Sequence, residues 1–330
     1  MEQFLPVFFM LVMGLALLIY VILDGYDLGV GMLLPLADDD QKDLMIASIG
    51  PFWDANETWI VLGVGILLIA FPAAHGVILT AMYIPITIML LGLILRGVAF
   101  DFRVKAGDAR KHRWNRIFFA GSVIASASQG WMLGSYITGL QDSLTSTLFS
   151  ALIALTLPAL YCILGAAWLM MKTEGALFDK AHRWAQLAIV PMGVGLLLVS
   201  IATPLVSASI AAKWFVMPNA IGLLPIPLSC IIMYTGILWM LNKPALLIRG
   251  YAWTVFAGLV VICLMASLGL AYSIFPFIVI DQLTIWQTSA ATESLRLIFY
   301  GVVITLPAII GYTIFVYKIF HGKASELSYE

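Results

Sequence analysis

The strongest constraint on this chain is a rhythm: nine apolar runs, each of about 20 residues or more, follow one another with short polar connections between them. Hydrocarbon offers no hydrogen-bond partner to a backbone N–H or C=O, so runs of this length fold as helices that satisfy their own peptide groups. The runs fall near residues 5–34, 46–71, 76–100, 117–139, 146–171, 184–206, 217–241, 251–279 and 297–319. Composition agrees, with 62% of residues apolar and 11% charged, against about 45–50% and about 25% in soluble domains. The expected fold class is all-α integral membrane, with nine transmembrane helices. No Pro-, Gly- or Ser-rich linker divides the chain, so residues 1–330 read as one polytopic domain. The first run opens MEQFLPVFF, without a basic region or cleavage site before Asp24, and reads as a retained anchor.

Basic residues set the expected orientation. Arg103, Lys105, Arg110, Lys111, Arg113 and Arg116 crowd the third connection, and Lys172, Lys180 and Arg183 lie around the fifth. Lys42, Lys243, Arg249, Lys318 and Lys323 fall on the same side, while the opposite loops hold only Lys213 and, at a span edge, Arg296. By the positive-inside rule the N-terminus lies outside and the C-terminus in the cytoplasm. Net charge is −1 and indicates no particular partner; nothing points to nucleic acid.

Charges inside the runs are the exceptions that carry information, because an acid at mid-membrane costs roughly 2.5–3.5 kcal/mol and must face protein or water. Asp24 and Asp27 lie three apart in the first run, and Asp54 and Glu57 three apart in PFWDANETW, so each pair shares a helix side. A second helix beginning near Met45 would place Asp54 about 14 Å along it. Arg96 ends the apolar part of the third run, followed by Asp101 at the membrane edge. Four carboxylates and one guanidinium thus converge in the cytoplasmic half, about three negative charges in excess. Two readings stay open. Carboxyls that gain and lose protons would form an inward-facing proton route, with Asp54 and Glu57 delivering protons and Asp24 and Asp27 completing the acid cluster. Alternatively, Arg96 is a structural counter-ion locking three helices together, and Asp101 merely pairs at the membrane edge. In the fourth run, GSVIASASQGWMLGS is rich in small residues that allow close helix approach, with Gln129 its strongest polar group.

Other chemistry finds little support. Cys162, Cys230 and Cys263 stand singly inside runs, without zinc or redox spacing. His112, His182 and His321 lie in or beside basic segments and His75 at an outer turn, so no metal or haem ligand is expected in this chain.

Taken together, DGYDLGVGMLLP at 24–35, GPFWDANETW at 50–59 and RGVAFDFR at 96–103 closely resemble subunit II of cytochrome bd-type quinol oxidases. Ser128-Gln129-Gly130, Phe275-Pro276-Phe277 and Leu283-Thr284-Ile285-Trp286 extend the likeness along the whole chain. The resemblance implies two four-helix bundles, about 1–140 and about 145–280, plus a ninth, peripheral helix at about 297–320. It further implies a pseudo-symmetric heterodimer with subunit I, which holds the b and d haems and the outward-facing quinol site, in a bacterial cytoplasmic (inner) membrane. Ubiquinol or menaquinol would be the substrate, dioxygen would be reduced to water with cytoplasmic protons, and the reaction would be electrogenic without pumping. Small single-span accessory subunits and the lipid bilayer complete the expected partners. Asp54 matches the acid implicated in cytoplasmic proton delivery, and Trp59 the aromatic position near the proposed access route of oxygen. Ala55, Gly97 and Gln287 depart from many relatives, which have Gly, Pro and an acid there. The short connection between the sixth and seventh runs resembles the compact, cyanide-insensitive branch. From the residues alone, a proton-coupled secondary transporter remains the competing expectation, since it too would show buried acids, membrane prolines and short loops.

Overall fold

The computed structural model describes residues 3–324. Its backbone is helical almost throughout: α1 (Phe4–Leu33), α2 (Asp39–Ile49), α3 (Trp53–Ala70), α4 (Pro72–Ala81), α5 (Tyr83–Lys105), α6 (Asp108–Ile137), α7 (Leu144–Lys172) and α8 (Gly175–Val206). There follow α9 (Ala208–Phe215), α10 (Asn219–Leu223), α11 (Pro225–Leu241), α12 (Pro244–Leu246), α13 (Trp253–Ile274), α14 (Ile285–Thr288) and α15 (Thr292–Ile319). Among the described residues nine helical stretches are long and apolar enough to cross a membrane, as the nine apolar runs require.

Three runs fold differently from expectation: the third (76–100) is broken at Met82 between α4 and α5, the eighth (251–279) leaves its helix at Ile274 and ends in a strand, and the second departs most. The helix does not start near Met45: α2 ends at Ile49, the chain turns through Gly50-Pro51-Phe52, and α3 begins at Trp53. Pro51 is the physical reason, since a proline lacks the N–H that a continuing helix would need. Asp54 therefore sits in the first turn of a new helix, where the helix dipole favours an anion. The earlier helix, α2, opens with a reciprocal capping box between Asp38 and Gln41. It is held from the side by Arg103 to Asp43 at 2.6 Å and Lys180 to Asp38 at 2.8 Å. Arg103, read from sequence as a loop cation, is instead buried, and its Nε donates to Asn115 at 2.6 Å.

Helix α1 is central. It packs against α3, α6, α7 and α13, with lighter contact to α15, while α5 pairs with α6, α7 with α8, and α11 with α13. The α1–α7 crossing is tight enough to exclude side chains: a Cβ on Gly29 would run into the Tyr161 carbonyl, and one on Gly165 would lie 2.5 Å from the Val30 nitrogen. Of the membrane prolines, Pro158, Pro191, Pro204 and Pro307 lie inside helices, whereas Pro85, Pro225 and Pro227 sit in first turns, where little hydrogen bonding is lost.

The chain between α13 and α15 forms a small antiparallel hairpin, β1 (Phe277–Val279) with β2 (Leu283–Thr284). Tyr136 ties it down by donating to the Ile278 carbonyl at 2.7 Å. Gln287 closes a capping box with Thr284 at the start of α14. A Gln at that position accepts the same backbone hydrogen bond that an acid would.

Candidate functional site

Three helices bring the unusual residues together. At 1.5 Å per residue, Asp24 lies about 30 Å from the start of α1 and Asp27 almost one turn further. Asn56 and Glu57 come from the first turns of α3, and Arg96 from the second half of α5. The Arg96 guanidinium is 1% exposed and grips two acids, Asp24 through Nη1 and Glu57 through Nη2, the latter at 2.7 Å. Asp24 is wholly buried and Glu57 is 29% exposed, so the pair runs from the protein interior toward the α3 surface. The Trp53 ring lies 5.9 Å from the guanidinium carbon and closes one side of it.

Asp27 does not join that fork. Its Oδ2 accepts from Asn56 Nδ2 at 2.8 Å, and the same nitrogen donates to the Tyr26 hydroxyl at 2.8 Å. Tyr317, on α15, donates to Asn56 Oδ1 at 3.0 Å and lies 2.6 Å, oxygen to oxygen, from Tyr26. Above this layer Gln129 donates to Tyr20 at 2.7 Å and accepts from Tyr161 at 2.6 Å, linking α1, α6 and α7. Three buried polar atoms, Asp24 Oδ2, Asp27 Oδ1 and Arg96 Nε, have no hydrogen-bond partner among the described residues. A buried group in that position calls for water or a transferable proton.

Of the four carboxylates expected to converge, the structure gathers Asp24, Asp27 and Glu57. Asp54 stands apart, exposed in the first turn of α3, with its backbone oxygen accepting from Thr58. Residues three apart on a helix are offset by about 60°, enough to turn Glu57 inward and Asp54 outward. Asp101 is exposed as well. Trp59 is buried against Ala16 and Tyr20 and walls the α1–α3 seam. The tyrosines were not singled out in the sequence. Tyr26 alone was visible there, inside the DGYD segment, while Tyr317 sits among unremarkable apolar neighbours.

A profile described as cytochrome bd terminal oxidase subunit II matches residues 5–320. The chain belongs to that family. It is thus a multi-pass membrane subunit of a bacterial terminal oxidase. It is 28% identical over 324 residues to the cytochrome bd ubiquinol oxidase subunit 2 of Bacillus subtilis, covering 92% of each chain. To the cytochrome bd-I ubiquinol oxidase subunit 2 of Escherichia coli K12 it is 25% identical over 368 residues, covering 96% of this chain and 94% of that one. Its fold matches a chain of the bd oxidase of Geobacillus thermodenitrificans with a TM-score of 0.78 over 96% of this chain and 98% of that one, at 17% identity.

A cytochrome bd complex implies haem, and the histidines of this subunit do not fit the role of axial ligands. His182, with Nε2 on the Leu241 carbonyl at 2.7 Å, is only half-buried, and His321, with Nδ1 on the Lys318 carbonyl at 2.8 Å, is exposed. His112 is exposed, His75 is at a helix end, and none of the four belongs to the buried network.

Proposed function

We propose that this chain is subunit II of a cytochrome bd-type quinol:oxygen oxidoreductase, paired with a haem-bearing subunit I. Its buried carboxylates supply cytoplasmic protons for the reduction of dioxygen to water. Family membership supports a quinol substrate, ubiquinol or menaquinol, and a location in the bacterial cytoplasmic membrane. It also disfavours the transporter reading. The haems b and d are assigned to subunit I because none of the four histidines here is buried within the helices. The Lys and Arg asymmetry supports an external N-terminus and a cytoplasmic C-terminus. Small single-span subunits are compatible with the exposed apolar helix faces. The two-bundle division, about 1–140 and about 145–280 with a peripheral ninth helix, is adopted with them.

The observation that carries the proton role is the fork at Arg96. One guanidinium faces two acids directly and a third, Asp27, beside them, within helices that otherwise meet lipid. The route runs from exposed Asp54 to half-exposed Glu57, one turn further along α3, and from there to Asp24 and Asp27. Trp59 bounds it on the side where oxygen access is assigned. When bound in subunit I, the haems supply the redox chemistry; this chain only moves and holds protons.

Asp54→Asn tests the route, because it keeps size and hydrogen bonding but cannot ionise. The variant is expected to assemble with a full haem complement while quinol-driven oxygen consumption falls by up to roughly tenfold, about 1.4 kcal/mol in the barrier. Charge separation in vesicles should weaken in step. Normal turnover at neutral and alkaline pH, with normal assembly, would remove Asp54 from the route.

A further inference from the structure

Asp54 approaches the buried acids along α3; on the opposite side of the same cluster a cavity of about 760 Å³ opens between α7, α13 and the last turns of α15. Its walls are polar enough to hold water: Lys172, Thr173, Glu174, His321 and Lys323 line it together with Tyr317. With the C-terminus in the cytoplasm, this cavity faces the proton source. Two lysines fix its shape. Lys172 Nζ donates to the Phe320 carbonyl and, at 3.1 Å, to that of Gly322, while Lys323 Nζ donates to the Thr173 carbonyl at 3.2 Å. These contacts hold the inner end of α15 against α7, with Tyr317 over Asn56.

From Tyr317 inward, hydroxyl meets hydroxyl. Tyr317 and Tyr26 are 2.6 Å apart, and Tyr26 is fully buried. The Tyr26 oxygen and Asp27 Oδ2 each lie 2.8 Å from the same Asn56 nitrogen. They are therefore at most twice that distance apart, the reach of a single water making two ordinary hydrogen bonds. Asp27 Oδ1 is also buried without a hydrogen-bond partner among the described residues, an atom that a water can satisfy.

We propose that this cavity is a second proton inlet to the buried carboxylates, with the Tyr317–Tyr26 hydroxyl pair as its inner end. In the transfer, the Tyr317 hydrogen first turns from Asn56 Oδ1 to Tyr26, and that of Tyr26 turns toward the bridging water; a hydronium in the cavity then gives a proton to the Tyr317 oxygen as Tyr317 passes its own hydrogen to Tyr26. Tyr26 passes its hydrogen through the bridging water to the Asp27 carboxylate. The hydronium becomes water, the carboxylate becomes a carboxylic acid, and both phenols end neutral and turn to reset. Asn56 conducts nothing; it holds the two oxygens in place. The inference rests on the reading that the buried acids deliver protons for oxygen reduction.

The test uses the assembled oxidase in vesicles and four forms: wild type, Asp54→Asn, Tyr317→Phe and the double variant. Tyr317→Phe removes the hydroxyl and keeps the ring against Phe52, whose centroid is 4.6 Å away. The double variant is expected to consume oxygen roughly tenfold more slowly than Asp54→Asn alone. Tyr317→Phe alone should raise the solvent isotope effect, which a purely structural change would leave as it is. If Asp54→Asn is slow and Tyr317→Phe changes neither rate nor isotope effect in either background, the inlet is refuted and proton delivery stands. If all four forms turn over alike, both readings fail. Should Tyr317→Phe not assemble, Ile248→Cys in the Asp54→Asn background decides, because Ile248 is exposed at the cavity wall. A charged thiol reagent there is expected to slow turnover relative to the unlabelled variant, and relative to reagent on the native cysteines. No slowing overturns the proposal.

Discussion

The interior between α1, α3, α5, α6 and α7 holds charge and amide groups, whereas that between α8, α11 and α13 is almost wholly apolar. Arg96, Asp24, Asp27, Asn56 and Gln129 fill the first. In the second, α11 buries Ile237 and Leu241, and α13 buries Val255, Leu259, Ile262 and Cys263. Polar groups of the second region gather at its ends, His182 and Gln186 on the Leu241 carbonyl and Lys213 on those of Ser273 and Phe275. Both regions span hydrocarbon equally well, so spanning does not explain the charges. Buried ions oppose folding unless paired, and their confinement to one region is what supports the proposed proton route there.

The sharpest way to break the contrast is Arg96→Leu. Removing the cation leaves Asp24 and Glu57 facing each other without a counter-charge, a loss of about 3–5 kcal/mol for a broken buried pair. The yield of intact heterodimer should fall severely. Normal yield with selectively lost turnover would instead place Arg96 within the proton route.

Packing follows the same division and gives the next largest effect. At Gly29 and Gly165 backbone meets backbone across α1 and α7, so a methyl group has nowhere to go. At Gly258 the added Cβ would meet side-chain atoms of Ile237, at 2.9 Å, rather than backbone. Gly29→Ala is expected to destabilise by about 2–3 kcal/mol and Gly258→Ala by less than about 1 kcal/mol. Unfolding midpoints of the two variants in detergent compare them directly; equal losses would mean that both regions are packed alike.

Much of the scaffold was legible in the sequence because bilayer thickness fixes helix length, and the nine apolar runs correspond to nine helical stretches of spanning length among the described residues. The break at Pro51 was legible too, since proline stops a helix, yet the apolar Met45-Ile46 beside it favoured one long run. Charge pairing was only half readable. A spacing of three puts Asp54 and Glu57 on one side, but the rotation of α3 decides which of them meets Arg96, and that rotation is set by packing against α1. The Tyr26–Asn56–Tyr317 layer was beyond reach, because it joins residues 261 and 291 positions apart through helices whose neighbours no spacing reveals.

The smallest expected effect tests whether a hydrogen bond counts equally in the two regions. Gln129→Leu deprives the buried Tyr20 and Tyr161 hydroxyls of their shared partner and leaves that of Tyr161 facing an apolar side chain. That should cost about 1–3 kcal/mol, since unsatisfied buried groups lose their full solvation. Tyr234, on α11, donates to the Ile189 carbonyl at 3.2 Å and is half-buried. Tyr234→Phe removes the donor itself, so no hydroxyl is stranded, and the carbonyl sits within α8 where a helical N–H four residues on can serve it. An interhelical bond in a membrane protein averages about 0.6 kcal/mol, and this long one should contribute no more. The unfolding midpoint is expected to move by only about 1–2 °C, with oxygen consumption unchanged. A loss as large as that of Gln129→Leu would show that the apolar region depends on its few polar contacts as strongly as the charged one does.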